Sequence, residues 1–216
     1  MKSVPPKSFT LLEMILVVVI LSIVYAAFIP KMSTEKNRLN LAAQRIVLYL
    51  NQTRYQAMID DMFDPHDNLW HKKRWTLKFL HCSDEKDGIY YSIYSDKNRT
   101  GQINKDECLK DPLTNKYVYS HNDCKLTKDR SRFVFLTREF GITNVNVSCN
   151  KTTTIGQLSF GYDGKLYSKL SADENDPFNY LVTKSCEISL SNSKNETEII
   201  TIEPITGYIH IKSNEK

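Results

Sequence analysis

The sequence has little excess of charge of either sign. Its 216 residues include 29 Lys and Arg against 25 Asp and Glu, a formal net charge of +4. A balance this close to neutral is not by itself the footprint of a nucleic-acid-binding domain. The chain also lacks internal repeats and low-complexity linkers. Its length therefore accommodates an N-terminal segment and one domain of ordinary size.

Motifs for catalysis and for zinc binding are also missing. The five histidines are scattered, and the chain has neither a Gly-rich phosphate loop nor a serine nucleophile elbow. It has no C-x-x-C pair and no histidine spacing typical of a zinc site. These absences argue against an enzyme and against a zinc-stabilised fold.

What the chain does contain is an apolar run near its N terminus that includes one carboxylate. Residues 9 to 30, FTLLEMILVVVILSIVYAAFIP, are long enough to cross a bilayer as a helix. Glu13 is the one charged residue in this run, and an unpaired carboxylate in a bilayer is costly. A cut between Ser8 and Phe9 would place the new ammonium group one helical turn before Glu13. The sequence therefore suggests that proteolysis creates the partner of this carboxylate.

Residues 7 to 13, KSFTLLE, resemble the prepilin cleavage and methylation signature of type IV pilins and type II secretion pseudopilins. The resemblance implies that a prepilin peptidase removes the leader, residues 1 to 8, between Ser8 and Phe9. It also implies methylation of the new N terminus at Phe9. In that family the glutamate at the position of Glu13 pairs with the N terminus of a neighbouring subunit during assembly. Ser8 stands where the family usually has glycine.

Three other interpretations of the N-terminal run stay open. An ordinary secretory signal peptide would be cut at a small residue near Ala26 or Ala27. A plain single-pass anchor and a buried helix of a soluble protein are the other two. If the run is an anchor, Lys2 and Lys7 keep the N terminus in the cytoplasm. The chain is then a single-pass inner-membrane protein with a periplasmic domain.

Beyond the apolar run, the pattern predicts a helix followed by strands. Apolar residues recur at helical spacing from Glu35 to Met62, and Asp64-Pro65 supplies a stop. Nine short runs with strand composition follow: Trp75–His81, Ile89–Tyr94, Phe133–Thr137, Ile142–Ser148, Gly156–Phe160, Leu166–Leu170, Cys186–Leu190, Glu198–Ile202 and Tyr208–Ile211. The predicted fold class is α+β, with a long N-terminal helix packed on an antiparallel sheet domain.

This pattern divides the chain into four parts: a leader at 1–8, an assembly helix at 9–30, its amphipathic continuation at 31–64, and a β-rich periplasmic domain at 70–216.

Three further segments resemble GspH/FimT-type minor pseudopilins: residues 53 to 58 (TRYQAM), 158 to 165 (LSFGYDGK) and 207 to 209 (GYI). The resemblance implies a pilin-like structural subunit of a type II secretion or type IV pilus-like system. Its implied partners are the prepilin peptidase, other pilins or pseudopilins and an inner-membrane assembly platform. The alternative function is that of a FimT-like minor pilin, which binds DNA during natural transformation.

Residues 96 to 107 fit the spacing of a twelve-residue calcium loop. Oxygen ligands would come from Asp96, Asn98, Thr100, Gln102 and Glu107. Calcium is thus the one cofactor that the sequence suggests. A purely structural turn and a bacterial N-glycosylation site at Asn98 are the competing interpretations.

The candidates for DNA contact are Lys72, Lys73 and Arg74, which stand beside an aromatic residue. A solvated loop is the more usual meaning of such a cluster. The C-terminal segment lacks the paired arginines of the DNA-binding relatives.

The five cysteines all follow the apolar run, in what is predicted to be an oxidising compartment. Two disulfides and one free thiol allow 15 pairings. Of these, Cys108 with Cys124 closes the shortest loop, which makes it the candidate pair.

Overall fold

The computed structural model describes residues 11–28, 35–83 and 88–212. They belong to two separate units, residues 1–34 and 35–216. The described part of the first unit is helix α1, Leu11–Phe28. The predicted leader, residues 1–8, lies outside the described residues, and so does Phe9.

The second unit contains two further helices and eight strands within its described residues. In chain order they are α2 (Glu35–Ile59), β1 (Trp75–His81), β2 (Ile89–Tyr94), α3 (Leu136–Phe140), β3 (Ile142–Val147), β4 (Gly156–Phe160), β5 (Leu166–Tyr167), β6 (Cys186–Asn192), β7 (Thr197–Ile202) and β8 (Ile209–Ile211). Three short 3₁₀ turns, Trp70–Lys73, Lys105–Glu107 and Arg132–Val134, lie between them.

The strands form two antiparallel sheets of four strands each. Their strand orders are β2-β1-β4-β5 and β3-β6-β7-β8. Helix α2 packs against strands of both sheets. The predicted α+β class, with a helix on antiparallel strands, is confirmed, and the structure adds that the strands divide into two sheets.

Helix α2 forms because apolar residues recur along one of its faces. The residues that this face buries are Leu39, Ala42, Ala43, Ile46, Tyr49, Leu50, Thr53 and Ala57. The helix ends at Ile59, three residues before the predicted end at Met62. The carboxylate of Asp61 accepts a hydrogen bond from the backbone N–H of Phe63 (2.9 Å). This side-chain bond takes the place of the backbone hydrogen bond that a continuing helix would form at that N–H.

Alternation of side chains accounts for β6, one of the predicted strands. In β6 the even-numbered residues are buried and the odd-numbered ones between them are half-buried, as one covered face requires. The bounds of β1, β2 and β4 agree with the prediction. The predicted hairpin between β7 and β8 is also present. In its turn, the N–H of Gly207 donates a hydrogen bond to the carbonyl oxygen of Glu203 (3.1 Å).

The strand predicted at Phe133–Thr137 is wrong. This stretch forms a 3₁₀ turn and the start of helix α3. Leu136 and Phe140, four residues apart, are both buried on one side of that helix. Gly141 ends it in the left-handed conformation (φ 73°), and its N–H caps the carbonyls of the last turn. Tertiary burial and this glycine cap outweigh the strand preference of the Phe and Val residues.

Two buried tyrosines of this core differ in their hydrogen bonding. The hydroxyl of Tyr49 donates to Oδ2 of Asp111 (2.8 Å). Burial, followed by this carboxylate, raises the pKa of Tyr49 to about 12. The hydroxyl of Tyr91 has no hydrogen-bond partner among the described residues, although the side chain is fully buried.

We therefore expect opposite results from the same change at these two positions. Tyr91→Phe should leave the free energy of unfolding unchanged or raise it by up to about 1 kcal/mol, because it removes an unsatisfied buried hydroxyl. Tyr49→Phe should lower it by about 2 kcal/mol, because a carboxylate loses its donor. Urea denaturation of a fragment starting at Glu35 measures both. Equal losses in the two variants would contradict the assignment.

Candidate assembly and interaction surfaces

Helix α1 presents apolar side chains on all of its sides. Glu13 lies in its first turn. The large apolar side chains from Leu11 to Val24 are between 43% and 79% exposed. A helix that is apolar all round is one that another structure must cover. Among the described residues, no helix meets the length and apolarity required to cross a membrane.

Three segments that were separate in the sequence meet at Arg54 in α2. Its Nε donates to the carbonyl oxygen of Gly164 (3.2 Å), and its Nη2 donates to that of Thr206 (2.7 Å). The first carbonyl belongs to the β4–β5 turn and the second to the β7–β8 turn. One guanidinium thus ties a turn of each sheet to the helix, and we call this the Arg54 junction.

Glycine is required at the Arg54 junction. Gly207 has φ +63°, and a Cβ there would overlap the carbonyl oxygen of Gly164 and Nε of Arg54. Residues 53 to 58, 158 to 165 and 207 to 209, the three segments singled out in the sequence, each supply part of this junction. The sequence pattern found the segments, whereas their convergence is a tertiary finding.

The candidate calcium loop is held by its own backbone. The carboxylate of Asp96 accepts the N–H groups of Thr100 (3.1 Å) and Gly101 (2.8 Å). Glu107 accepts the N–H of Asn98 (3.0 Å) and the side-chain amide of Asn104 (3.0 Å). In the described ranges, no group of three or more His, Cys, Asp or Glu is arranged to hold a metal ion. These contacts hold the loop as a turn, and calcium binding by it stays a prediction.

The candidate DNA contacts do not form a basic surface. Lys73 pairs with Asp67 (2.7 Å). Arg74 is 3% exposed, and its guanidinium lies over the rings of Trp70 (4.9 Å to the centroid) and Tyr167 (3.7 Å). The prediction that Lys72, Lys73 and Arg74 act together on phosphates is therefore wrong. Arg74 directly follows the 3₁₀ turn Trp70–Lys73, and its side chain is buried in the protein.

The predicted pairing of Cys108 with Cys124 is also wrong. The structure joins Cys82 to Cys124 and Cys149 to Cys186. Cys108 is buried with a free thiol, which donates to the carbonyl of Asn104 (3.0 Å). Burial raises the pKa of this thiol well above its usual value. The shortest loop failed as a guide because the tertiary fold, rather than chain separation, decides which sulfur atoms lie within bonding distance.

Sequence reasoning missed a group of touching rings, which we call the aromatic cluster: Phe63, Trp70, Tyr162 and Phe178. The Phe63 ring lies 5.2 Å from that of Trp70 and 5.7 Å from that of Tyr162, between centroids. The Trp70 ring lies 6.5 Å from that of Phe178. Phe63, Tyr162 and Phe178 are 48%, 41% and 51% exposed. The sequence gives one sign of the cluster: two polar loops each contain a phenylalanine next to Asp and Pro, at residues 63 to 65 (FDP) and 176 to 178 (DPF).

A second surface feature is an apolar groove of about 590 Å³ between α2 and the loop after Leu109. Leu48, Tyr55 and Leu113 line it and are half or more exposed. Its helical side was hidden in the sequence because these residues lie outside the main apolar stripe of α2.

Neither the protein-family models nor the curated proteins contain a match to this sequence. Among solved structures, the chain is similar to the type IV minor pilin FimU of Pseudomonas aeruginosa strain PAO1. The TM-score is 0.40 and the identity is 13%, and the alignment covers 85% of this chain and 94% of that chain. A similarity of this size does not assign the chain to a family.

Proposed function

We propose that the protein is a pilin-like structural subunit, without catalytic activity, of a type II secretion or type IV pilus-like system. In this proposal a prepilin peptidase removes the leader before Phe9. The N-terminal helix then holds the subunit in the inner membrane, with the unit beyond Glu35 on the periplasmic side. Assembly proceeds by transfer of this helix from the membrane into a filament of similar subunits.

One observation carries the proposal: Glu13 stands in the first turn of an otherwise apolar helix, five residues after the predicted cleavage site. In α1 the large apolar side chains up to Val24 are exposed, and surfaces of this kind mark interaction sites. A bundle of such helices would bury their side chains and leave a low-dielectric interior. In that interior, a carboxylate is strongly favoured to pair with an ammonium group.

The Arg54 junction adds support of a different kind. It joins Arg54 to two turns that lie 110 and 152 residues further along the chain, and the three segments form one set of contacts. The DNA-uptake alternative loses its main candidate surface because Arg74 is buried and Lys73 is paired. We therefore favour the structural role.

Substitution of Glu13 tests the proposal. Glu13→Ala should reduce the amount of subunit in sheared filaments by about tenfold or more, since breaking a buried ion pair typically costs about 3–5 kcal/mol. The amount in the membrane fraction should not change. Ser22→Ala, an exposed position on the same helix, is the matched control and should assemble normally. Normal incorporation of Glu13→Ala would sink the proposal.

Mass spectrometry tests the processing step separately. The mature protein should be lighter than the precursor by residues 1 to 8, with one added methyl group on Phe9. Cleavage near Ala26 or Ala27 would instead identify an ordinary signal peptide. An intact N terminus would leave a plain anchor.

A further inference from the structure

The aromatic cluster is a continuous surface. Its three exposed rings, Phe63, Tyr162 and Phe178, come from three different loops and converge on Trp70, which is 6% exposed. Single exposed aromatics are ordinary on a protein surface, but adjoining ones that expose nearly half of each side chain mark a binding surface.

A buried cation supports the cluster from below. The guanidinium of Arg74 lies over the rings of Trp70 and Tyr167, and its nitrogens have no hydrogen-bond partner among the described residues. It holds Trp70 in place without reaching the surface, because it is 3% exposed. Among the described residues, no Lys or Arg side chain stacks on the ring of Phe63, Tyr162 or Phe178. The faces of these rings are available to a cation.

The surroundings of the cluster are acidic. The four segments that carry it, residues 60–64, 70–74, 161–165 and 173–178, have a net charge of −3. Two of their bases are already used, since Lys73 pairs with Asp67 and Lys165 with Asp163. A third base, Arg74, is buried, which leaves Lys72 as the one base of these segments that is neither buried nor ion-paired among the described residues.

The remaining acidic side chains lie at the surface. Asp61 and Asp64 flank Phe63, and Asp176 lies two residues before Phe178; all three are exposed. In the ranges that the structure covers, none of these three forms an ion pair. Exposed ring faces beside unpaired carboxylates are the combination that attracts a cation, through the ring quadrupole and the carboxylate charge.

We propose that the aromatic cluster and its acidic surroundings bind a basic, arginine- or lysine-containing segment of a partner protein. The partner's cationic groups stack on Phe63, Tyr162 and Phe178 while the unpaired carboxylates neutralise its charge. Nucleic acids and anionic lipid surfaces do not fit, because their phosphates would meet uncompensated carboxylates. The inference goes beyond assembly through α1, and it holds or fails independently of it.

The test uses the full chain in a non-ionic detergent and three fluorescent eight-residue peptides. One alternates Arg with Gly, the second has citrulline in place of Arg, and the third has Glu. Anisotropy should show saturable binding of the Arg peptide, weakened severalfold between about 50 mM and about 200 mM salt. The citrulline peptide should bind at least about tenfold more weakly, because it keeps the shape but loses the charge.

Variants place the binding on the cluster. The Tyr162→Leu, Phe178→Leu double variant keeps apolar bulk but removes two rings, and should bind the Arg peptide at least about fivefold more weakly. Asp61→Asn with Asp64→Asn should do the same, while the Asn oxygens retain the turn hydrogen bonds to Phe63 and His66. Tyr55→Leu is the control, because it removes a ring that is 62% exposed but lies in the apolar groove. This variant should bind the Arg peptide as the wild type does.

Several results would overturn the proposal. They are no saturable binding of the Arg peptide, equal binding of the citrulline peptide, stronger binding of the Glu peptide, or undiminished binding by the double variant. Near-ultraviolet circular dichroism shows whether the variants keep the native fold. If a double variant unfolds, the single changes Tyr162→Leu and Phe178→Leu replace it, and each should weaken binding on its own.

Discussion

We expect the Cys149→Ser, Cys186→Ser double variant to lose about 4 kcal/mol of stability relative to the wild type. The bridge links the end of β3 to the start of β6 across 37 residues. Closing a loop of this size removes about that much conformational entropy from the unfolded chain. The Cys82→Ser, Cys124→Ser variant should lose a similar amount, since its bridge spans 42 residues. Urea denaturation of a fragment starting at Glu35 measures both.

Cys108→Ser is the matched control for these variants. Cys108 is buried, as Cys124 and Cys186 are, but it forms no disulfide, and a serine hydroxyl can replace its hydrogen bond to Asn104. Its effect should therefore be small. A reducing agent should destabilise the wild type and leave a variant without either bridge unchanged. A loss in Cys108→Ser as large as in either double variant would contradict the assigned pairing.

The second large effect is expected at the Arg54 junction. Gly207→Ala should lower the free energy of unfolding by about 3 kcal/mol. The left-handed backbone accounts for about 1 kcal/mol of this. The rest arises because the new methyl group meets the carbonyl oxygen of Gly164, which is backbone and has little room to move.

Gly101→Ala separates these two contributions. Gly101 has φ +72°, close to the φ of +63° at Gly207, but a Cβ there would meet nothing within 4 Å. This variant should lose only about 1 kcal/mol, the cost of the backbone conformation alone. Arg54→Ala should lose about 2 kcal/mol, because two carbonyls lose a charged donor at a partly exposed site. If Gly207→Ala and Gly101→Ala lost the same free energy of unfolding, the Arg54 junction would have room for the added methyl group, and the prediction would be wrong.

The elements that the sequence predicted correctly are those set by a local period. β1, β2 and β4 were found with their bounds because short runs of aromatic, β-branched and other apolar residues stand out from the polar segments around them. α2 was found because its apolar residues repeat along one face. Phe133–Thr137 failed because its residues suit a strand locally, whereas burial of Leu136 and Phe140 and the cap at Gly141 favour a helix.

The predicted sites divide in the same way. The N-terminal signature around Phe9 and Glu13 is contiguous in the chain, so a local pattern is enough to predict it, and it stays a prediction. The disulfide pairs, the Arg54 junction and the aromatic cluster each join residues that are distant along the chain. No local pattern indicates which distant residue will be the neighbour.

Local sequence was enough to predict the α+β class, most of the strands and the position of one carboxylate in an apolar helix. These follow from periodicity and composition, which act over a few residues. Local sequence did not indicate that Arg74 is buried, that Cys108 is the free thiol or that four aromatic rings form one surface. Such outcomes depend on how sheets and turns pack against each other, and packing brings together residues that are remote in sequence.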